Sequence, residues 1–427
     1  MEKLTPPPEP DADPGSAGGA RTSQGERSRR AILKAAEERF RLYGSRGTRL
    51  VDVTSDAGLT TGSLYRHFSG KDDLHAALFD EYRADVTAAL RGADDLSGAI
   101  AAWVQTARTR PGVQRSAQED LRPGQPHVQR WNAARNDWEA AVGDKLPLRL
   151  ARPTRVVAAA LVVDAMEYYV LAEAAGWFAR RVPEAVGREV DALITGGLYS
   201  KPSPPGGVAV DDVGAGVSLE QRWFQWSPGP DKADPSSNRG HRTFDRLRQG
   251  AEAVFAELGF HAATMADIAR RAGVSTATAY RYFEDKEDLF LNLVAETEDE
   301  LAQRRMYPLD AEGRHPTRAA YEGFLQLHRD HAGVFLAWAE LIEPASVYER
   351  AWVGMHEILM ERMEKVLRLG VRKGLISEAH DLRLAVEIYG GMHERSGYTR
   401  VSIGRDLGVS DAVVADVVDR IFHGGLS

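Results

Sequence analysis

The sequence predicts an all-α fold built from two similar units. Apolar residues recur at three- and four-residue steps through most of the chain, which is typical of the buried face of a helix. The alternation of apolar and polar residues that is typical of β-strands is essentially absent. The segment SLYRHFSGKDDL (63–74) recurs 215 positions later as TAYRYFEDKEDL (278–289). A second pair, VDALITGGL (190–198) and VDRIFHGGL (418–426), closes each unit at an offset of 228. We interpret these repeats as a duplication of a whole unit.

Composition limits the class of protein. The chain has 427 residues, 43% of them hydrophobic, and a net charge of −8. It has no cysteine, which excludes disulfides, thiolate metal sites and cysteine nucleophiles. Its longest strongly apolar run, 156–163, is far shorter than the roughly 20 residues that a membrane span needs. We therefore expect a soluble cytoplasmic protein without a membrane partner.

Proline, glycine and acidic residues set the domain boundaries. The first 25 residues are rich in all three and are predicted to be disordered. The predicted segments are a tail (1–25), a first helix-turn-helix domain (26–92), a first helical regulatory domain (93–200), a linker (201–239), a second helix-turn-helix domain (240–306) and a second helical regulatory domain (307–427).

The repeated segment of each unit has the order of elements of a helix-turn-helix. A first helix ends at Gly44 or Gly259, and a short helix follows. A tight turn, AGL or AGV, then leads to Thr60 or Ser275, hydroxyl residues that cap helix N-termini well. Two short helices joined by a glycine-containing turn form a helix-turn-helix, whose second helix enters the major groove of DNA.

The second short helix has a predicted buried face and a predicted DNA face. Leu64 and Phe68 share the buried face in the first copy, as Ala279 and Phe283 do in the second. Small and hydroxyl residues on the other face can approach base edges closely. The tyrosine hydroxyls, and a lysine at the start of the next helix, are positioned to bind phosphates.

The segments TRLVDVTSDAGLTTGSLYRHFSGKDDL and ATMADIARRAGVSTATAYRYFEDKEDL resemble the DNA-binding domain of the TetR family of transcriptional repressors. The resemblance covers about 60 residues in each unit. It implies a three-helix reader followed by a variable helical domain for ligand binding and dimerisation. The candidate DNA-binding residues are Thr48, Thr60, Thr61, Gly62, Ser63, Tyr65, Arg66, His67 and Lys71 in the first copy, and Thr264, Ser275, Thr276, Ala277, Thr278, Tyr280, Arg281, Tyr282 and Lys286 in the second.

The second reader departs from the family pattern. It has Ala277 and Ala279 where glycine and leucine are usual, and Glu284 and Asp285 lie beside the expected phosphate contact. Residues 24–77 carry ten Lys/Arg against seven Asp/Glu, whereas residues 239–292 carry eight of each. Because affinity for DNA grows with the number of phosphates neutralised, we expect the first copy to bind DNA more strongly.

The helical remainder offers candidates for an effector pocket, although aromatic residues and methionines at helical spacing are more often ordinary core. No nucleotide-binding or catalytic motif appears, no cofactor is expected, and the scattered histidines do not have the spacing of a metal site. We therefore predict that the protein is not an enzyme. The candidate ligand-binding residues are Trp103, Trp131, Trp138, Met166, Tyr169, Trp338, Trp352, Met355, Tyr389 and Met392.

Two functions remain open at this stage. The first is a sequence-specific transcriptional regulator, a repressor, whose affinity for double-stranded DNA is controlled by an unknown small-molecule effector. The second is a ligand- or partner-binding protein in which one reader, the second rather than the first, has become an interaction module. For assembly, we favour an intramolecular pseudo-dimer that reads an imperfect inverted repeat, with a homodimer as the competing possibility.

Overall fold

The computed structural model describes residues 16–119, 121, 123, 125–199, 232, 238–303, 317–342 and 346–426. Every regular element in these ranges is a helix, which confirms the all-α prediction. The first unit contains α1 (Ser16–Tyr43), α2 (Leu50–Asp56), α3 (Thr61–Leu64), α4 (Lys71–Gly92), α5 (Leu96–Ala107), α6 (Pro111–Glu119), α7 (Pro126–Gly143), α8 (Arg152–Ala174) and α9 (Pro183–Gly196). The second contains α10 (Asn238–Ala262), α11 (Met265–Arg271), α12 (Thr276–Tyr280), α13 (Lys286–Gln303), α14 (Thr317–Asp330), α15 (Ala332–Leu341), α16 (Val347–Arg372), α17 (Leu382–Gly397) and α18 (Asp411–His423).

The helix boundaries differ slightly from the predicted segments. Helix α1 begins at Ser16, within the segment assigned to the tail, and α10 begins at Asn238, at the end of the predicted linker. Residues 1–15 and almost all of the linker, including RWFQW (222–226), lie outside the described residues. As predicted, α1 ends just before Gly44, which has a positive φ of 67°, whereas α10 kinks at Gly259, with a φ of 75°, and continues to Ala262.

The two units have the same order of helices. Helices α1–α4 correspond to α10–α13 at the offset of 215, and α8 and α9 correspond to α17 and α18 at the offset of 228. In the second unit, a π-helical turn (Tyr398–Ser402) continues α17, so that α17 and the turn together match the length of α8. The 13 additional residues of the second unit therefore lie between its reader and its last two helices.

The two units pack together through their closing helices. Helix α8 packs along α17, and α18 lies against both α8 and α9. The α8–α17 crossing is close, because a Cβ atom on Gly391 would lie 3.1 Å from the Cα atom of Ala165. One continuous apolar core includes most of the first unit together with the last two helices of the second, and the second reader has a core of its own.

The repeated GGL ends form a reciprocal backbone contact. The Leu198 amide donates to the carbonyl oxygen of Phe422 at 2.8 Å, and the Leu426 amide donates to that of Ile194 at 2.7 Å. Because Phe422 and Leu426 are the equivalents of Ile194 and Leu198 at the offset of 228, the two bonds are related by a pseudo-twofold axis. The second repeat found in the sequence therefore lies at the axis that relates the two units.

A buried ionic network lies beside this axis. Arg135 of α7 is fully buried and forms ion pairs with Glu167, with Asp164 at 2.8 Å and with Glu139 at 3.2 Å. Burial raises the pKa of Asp164 to about 6, although the Arg135 guanidinium acts in the opposite direction. Trp103, Trp131 and Trp138 are buried in the same domain. The interior of the first regulatory domain is therefore filled by tryptophan side chains and by charges that form ion pairs.

Candidate nucleic-acid interface

Helix α3, the predicted recognition helix of the first reader, is short and capped. Thr60 has an extended backbone, and its hydroxyl accepts a hydrogen bond from the Ser63 amide at 3.3 Å. The preceding turn passes through Gly58, whose φ of 65° suits glycine. Leu64 and Phe68 are buried beneath the helix, as the sequence predicts. The cap and the buried anchors fix the direction in which the other face points.

The outer face of α3 presents polar side chains to solvent. Tyr65 is 56% exposed, and Thr60, Gly62 and Arg66 are exposed as well. The Arg66 guanidinium donates to the Ser63 hydroxyl at 2.8 Å, so it lies along the helix. Two further candidates, Thr61 and His67, are half-buried at the edge of this face.

The second reader repeats this geometry in α12. The Ser275 hydroxyl accepts from the Thr278 amide at 3.1 Å, and Thr264 forms a capping box with Asp267 at the start of α11. Tyr280 is 47% exposed. The exposed candidates are Thr264, Ser275, Ala277, Tyr280 and Arg281, with Thr276 and Thr278 half-buried. The two outer faces therefore have the same shape but different chemistry.

Three candidate side chains pack within the readers. Thr48 is buried and donates its hydroxyl to the Gly44 carbonyl oxygen at 2.7 Å. Ser63 is buried beside its cap, and the Tyr282 ring packs near Phe244 with 6.2 Å between centroids. The structure therefore places these three in the internal packing of the readers, where the sequence pattern alone did not separate them from outer-face residues.

The two candidate lysines bind backbone carbonyl oxygens shortly before the second helix of their reader. The Lys71 amine lies 3.4 and 3.3 Å from the carbonyl oxygens of Arg46 and Thr48. The Lys286 amine donates to three carbonyl oxygens between residues 260 and 263, the nearest at 2.8 Å. Each lysine thus satisfies carbonyl groups of the chain that leads into the second helix. Lys286 makes more and shorter bonds than Lys71, so less of its charge is available to a phosphate.

Helix α6 is fixed to the first reader at both ends by carboxylates. Glu37 of α1 accepts from the Gly112 and Val113 amides at 2.6 and 3.2 Å, at the N-terminus of α6. Glu119, in the last turn of α6, accepts from the Ser45 and Arg46 amides at 2.9 and 3.0 Å. We call this pair of contacts the carboxylate clamp. It joins the reader to the regulatory domain through one rigid helix.

The second unit has an equivalent clamp on α15. Glu252 accepts from the Gly333 and Val334 amides at 2.8 and 3.3 Å, and Glu340 accepts from the His261 amide at 3.2 Å. Burial raises the pKa of Glu37 to about 7 and raises that of Glu252 as well. Helices α6 and α15 also contact each other, so the two clamps meet near the pseudo-twofold axis.

The clamp residues were missed in the sequence, although a signal for them exists. Glu37 and Glu252 correspond at the offset of 215 that aligns the readers. The Gly-Val pairs that they cap, 112–113 and 333–334, correspond at 221. When the units are aligned at these offsets, both copies contain the glutamate and the glycine. Only the fold shows that the glutamate carboxylate contacts the glycine amide in each copy.

The candidate ligand-binding residues are almost all deeply buried. Trp131 and Trp138 line a cavity of about 20 Å³ in the first unit, and Tyr389 lines one of about 30 Å³ in the second. Trp103 packs on Trp138, and Trp338 packs on Trp352. The remaining candidates, placed within the helical packing of their domains, are Met166, Tyr169, Met355 and Met392.

The described residues form neither a metal-binding cluster nor a membrane-spanning helix. Within these ranges, no three side chains of histidine, aspartate or glutamate lie together as metal ligands would. Among the helices of the same ranges, none combines the length and the hydropathy of a membrane span.

Comparison with known proteins identifies the readers. Residues 32–78 and 247–293 both match the family model described as bacterial regulatory proteins, tetR family. The chain is similar to the fatty acid metabolism regulator protein of Bacillus subtilis, with 28% identity over 156 residues, 35% of this chain and 79% of the relative. It is also similar to the HTH-type transcriptional activator FasR of Mycolicibacterium smegmatis, with 36% identity over 95 residues, 21% of this chain and 43% of the relative.

Among solved structures, the chain is similar to the fatty acid degradation regulator FadR from Bacillus halodurans, over 42% of this chain and 94% of that protein, at 21% identity and a TM-score of 0.34.

The two family matches start and end 215 residues apart, which is the offset of the repeated reader. The chain therefore carries the helix-turn-helix DNA-binding domain of the tetR family of bacterial regulatory proteins twice, at residues 32–78 and 247–293.

Proposed function

We propose that this transcriptional regulator is a repressor that reads an imperfect inverted repeat with its two unlike readers. The observation that carries the proposal is the pair of capped recognition helices, α3 and α12, with equivalent exposed faces of different composition. Thr60 and Ser275 are equivalent, as are Gly62 and Ala277, and all four are exposed, so the two half-sites should differ.

Pairing of the two units within one chain supports this assembly. Helices α8 and α9 pack on α17 and α18, in the part of the chain that the family uses for dimerisation. Adjacent major grooves on one face of DNA lie about 34–36 Å apart, and a pseudo-dimer would present one reader to each. A homodimer of whole chains remains the alternative, and it would select a perfectly palindromic site.

The first reader should contribute more of the affinity. Its window carries three more basic than acidic residues, whereas the second is neutral. Lys71→Ala should therefore weaken binding more than Lys286→Ala and should reduce the salt dependence by about one phosphate contact. Equal losses of DNA affinity in the two variants would contradict the prediction that the first reader contributes more. If Lys286→Ala had no effect on affinity or on site selection, the second reader would instead be an interaction module.

We place the effector in the cavity of the second unit. Met360, Met363 and Val386 give this cavity apolar, adaptable walls. His393 also lines it, is fully buried, and has an Nε2 atom without a hydrogen-bond partner among the described residues. Burial lowers the pKa of His393 to about 4, so its ring is neutral at neutral pH. Because this cavity of about 30 Å³ has room for little more than a water molecule, a ligand with an apolar body and one hydrogen-bonding group would have to move its walls apart in order to bind.

The cavity lies beside α17, the helix of the second unit that packs on α8 of the first unit. Tyr389, Gly390, His393 and Glu394 of α17 line it, while Gly391 on the same helix contacts α8. An effector that moved α17 would therefore alter the packing of the two units. DNA would be released only to the extent that the effector binds the two arrangements with different affinity.

Selection of bound sequences from random DNA tests the proposed operator. We expect an imperfect inverted repeat with unequal half-sites, confirmed by a gel shift on the selected site and on DNA upstream of the gene. Absence of any shift at low salt would refute DNA binding. A reporter fused to the selected site would distinguish repression from activation, which matters because FasR is named an activator.

A long-chain fatty acid is the first probe of the effector site, because one relative is named for the regulation of fatty acid metabolism. We expect it to weaken the gel shift of the wild-type protein. His393→Leu should retain DNA binding and lose the response, whereas Trp138→Phe in the first unit should retain both. A response lost only in the second variant would place the effector in the first unit.

A further inference from the structure

We propose that buried charges at the pseudo-twofold axis form a pairing code, which makes the first unit pair with the second and disfavours pairing of either unit with its own kind. The proposal rests on the pairing of units proposed above. It does not depend on DNA binding, so the two can fail separately.

The first element of the code is a pair of opposite charges at equivalent positions. Arg395 of α17 corresponds to Glu167 of α8 at the offset of 228 that relates the closing helices. The two side chains meet across the axis, with 3.3 Å between Arg395 Nε and Glu167 Oε2, and they are only 8% and 7% exposed. The Arg395 guanidinium also lies over the ring of Trp131, 5.1 Å from its centroid.

Pairing of like units would bring like charges together at this point. Two first units would place Glu167 against a second Glu167, and two second units would place Arg395 against a second Arg395. In a buried site the charges cannot be screened by water or salt, so each like pair is strongly disfavoured. Glu167 also pairs with Arg135 of its own unit, but only the mixed arrangement gives it Arg395 as a second partner and gives Arg395 an opposite charge across the axis.

A second, separate contact also favours pairing of the first unit with the second. Arg181, which follows α8, lies 2.6 Å from the carboxylate of Glu387 on α17, and Glu387 is almost fully buried. The equivalent positions are Val409 and Ala159, which carry no charge. Two second units would place each Glu387 against Val409, and two first units would place each Arg181 against Ala159. Two second units would leave buried Glu387 with only Arg383 of its own helix, and two first units would leave partly buried Arg181 without the Glu387 carboxylate.

The intact chain can be tested after cutting its linker. A protease site inserted between residues 201 and 231 would be cleaved after the protein has folded, and the fragments would be denatured in urea, refolded and examined by native mass spectrometry. We expect one fragment of each kind in every complex. Homotypic pairs, or separate single fragments at micromolar concentration, would overturn the proposal.

Charge reversal tests the named residues. In the cleaved protein, Arg395→Glu should raise the dissociation constant of the two fragments roughly 100-fold or more, because it places two buried carboxylates together. Arg368→Glu reverses a charge on the exposed side of α16 and should leave the constant within about threefold. Arg395→Met, which removes the charge without reversing it, should fall between them. Equal constants for all three variants would refute the role of Arg395, whatever DNA binding shows.

Discussion

The carboxylate clamp should be disrupted by a single methyl group at Gly112. This residue lies at the N-terminus of α6, where the helix meets the backbone of α1. A Cβ atom at Gly112 would lie 2.8 Å from the Arg41 amide nitrogen and closer still to the carbonyl oxygen of Glu37. Both neighbours are backbone atoms, so neither can move aside by a change of rotamer. Gly112→Ala must therefore push α6 and α1 apart.

The size of this displacement follows from the distances. Ordinary van der Waals contact of a Cβ atom begins near 3.4 Å, so the separation from Arg41 must grow by at least 0.6 Å, the difference between 3.4 and 2.8 Å. That shift lengthens the bonds from Glu37 to the amides of α6. Overpacking of this kind costs about 1–3 kcal/mol in the free energy of unfolding. The first reader would also tilt relative to its regulatory domain, which should weaken DNA binding.

Urea unfolding and the gel shift together measure the effect. Gly323→Ala is the matched control, because it lies within α14 and, apart from its own helix, no heavy atom of the described residues lies within 4 Å of its added Cβ. Alanine is the better helix former, so the control should gain about 0.5–1 kcal/mol. Gly333→Ala should repeat the loss in the second unit. If Gly112→Ala were as stable as the control and bound DNA equally well, the close approach of α6 and α1 would have no energetic role.

Two further predictions concern pH and the axis. Because the pKa of Glu37 is raised to about 7 from a usual 4.5, the folded protein holds a proton that the unfolded chain releases in this window, and the free energy of unfolding should fall as the pH rises from 5 to 8. Glu37→Gln should reduce this slope, by at most about 1.4 kcal/mol per pH unit, in urea titrations at several pH values; an unchanged slope would contradict the assignment. Gly197→Ala should destabilise the protein more than Gly374→Ala, because both have positive φ but only the former meets backbone atoms of the other unit. Equal melting temperatures for the two variants would show that the reciprocal backbone contact contributes little.

The sequence was sufficient to predict the helical class, both readers and the capped recognition helices. Those features depend on local patterns, such as Thr60 before α3 and Ser275 before α12, which the repeat shows twice. It was less informative about which side of a short helix faces outward. Tyr282 occupies the position of His67, yet its ring packs against Phe244.

The contacts between distant segments could not be predicted in the same way. Glu37 meets α6 and Arg395 meets Glu167 only after the helices have packed, and no local pattern marks either contact. The repeat VDALITGGL was a partial exception, because it singled out the segment that reaches the axis. Its role became visible only from the two hydrogen bonds that join Leu198 and Leu426 to the opposite unit.

The packing of α8 and α9 on α17 and α18 within one polypeptide has a consequence for how such a protein can change. In a homodimer, each mutation in the recognition helix alters both half-sites at once, so the operator must remain symmetric. A tandem chain separates the two, and each reader can adapt to its own half-site. With the proposed pairing within one chain, assembly would also become independent of copy number, since the two units are synthesised together and would not be diluted apart. A few molecules per cell would then occupy an operator in direct proportion to their concentration.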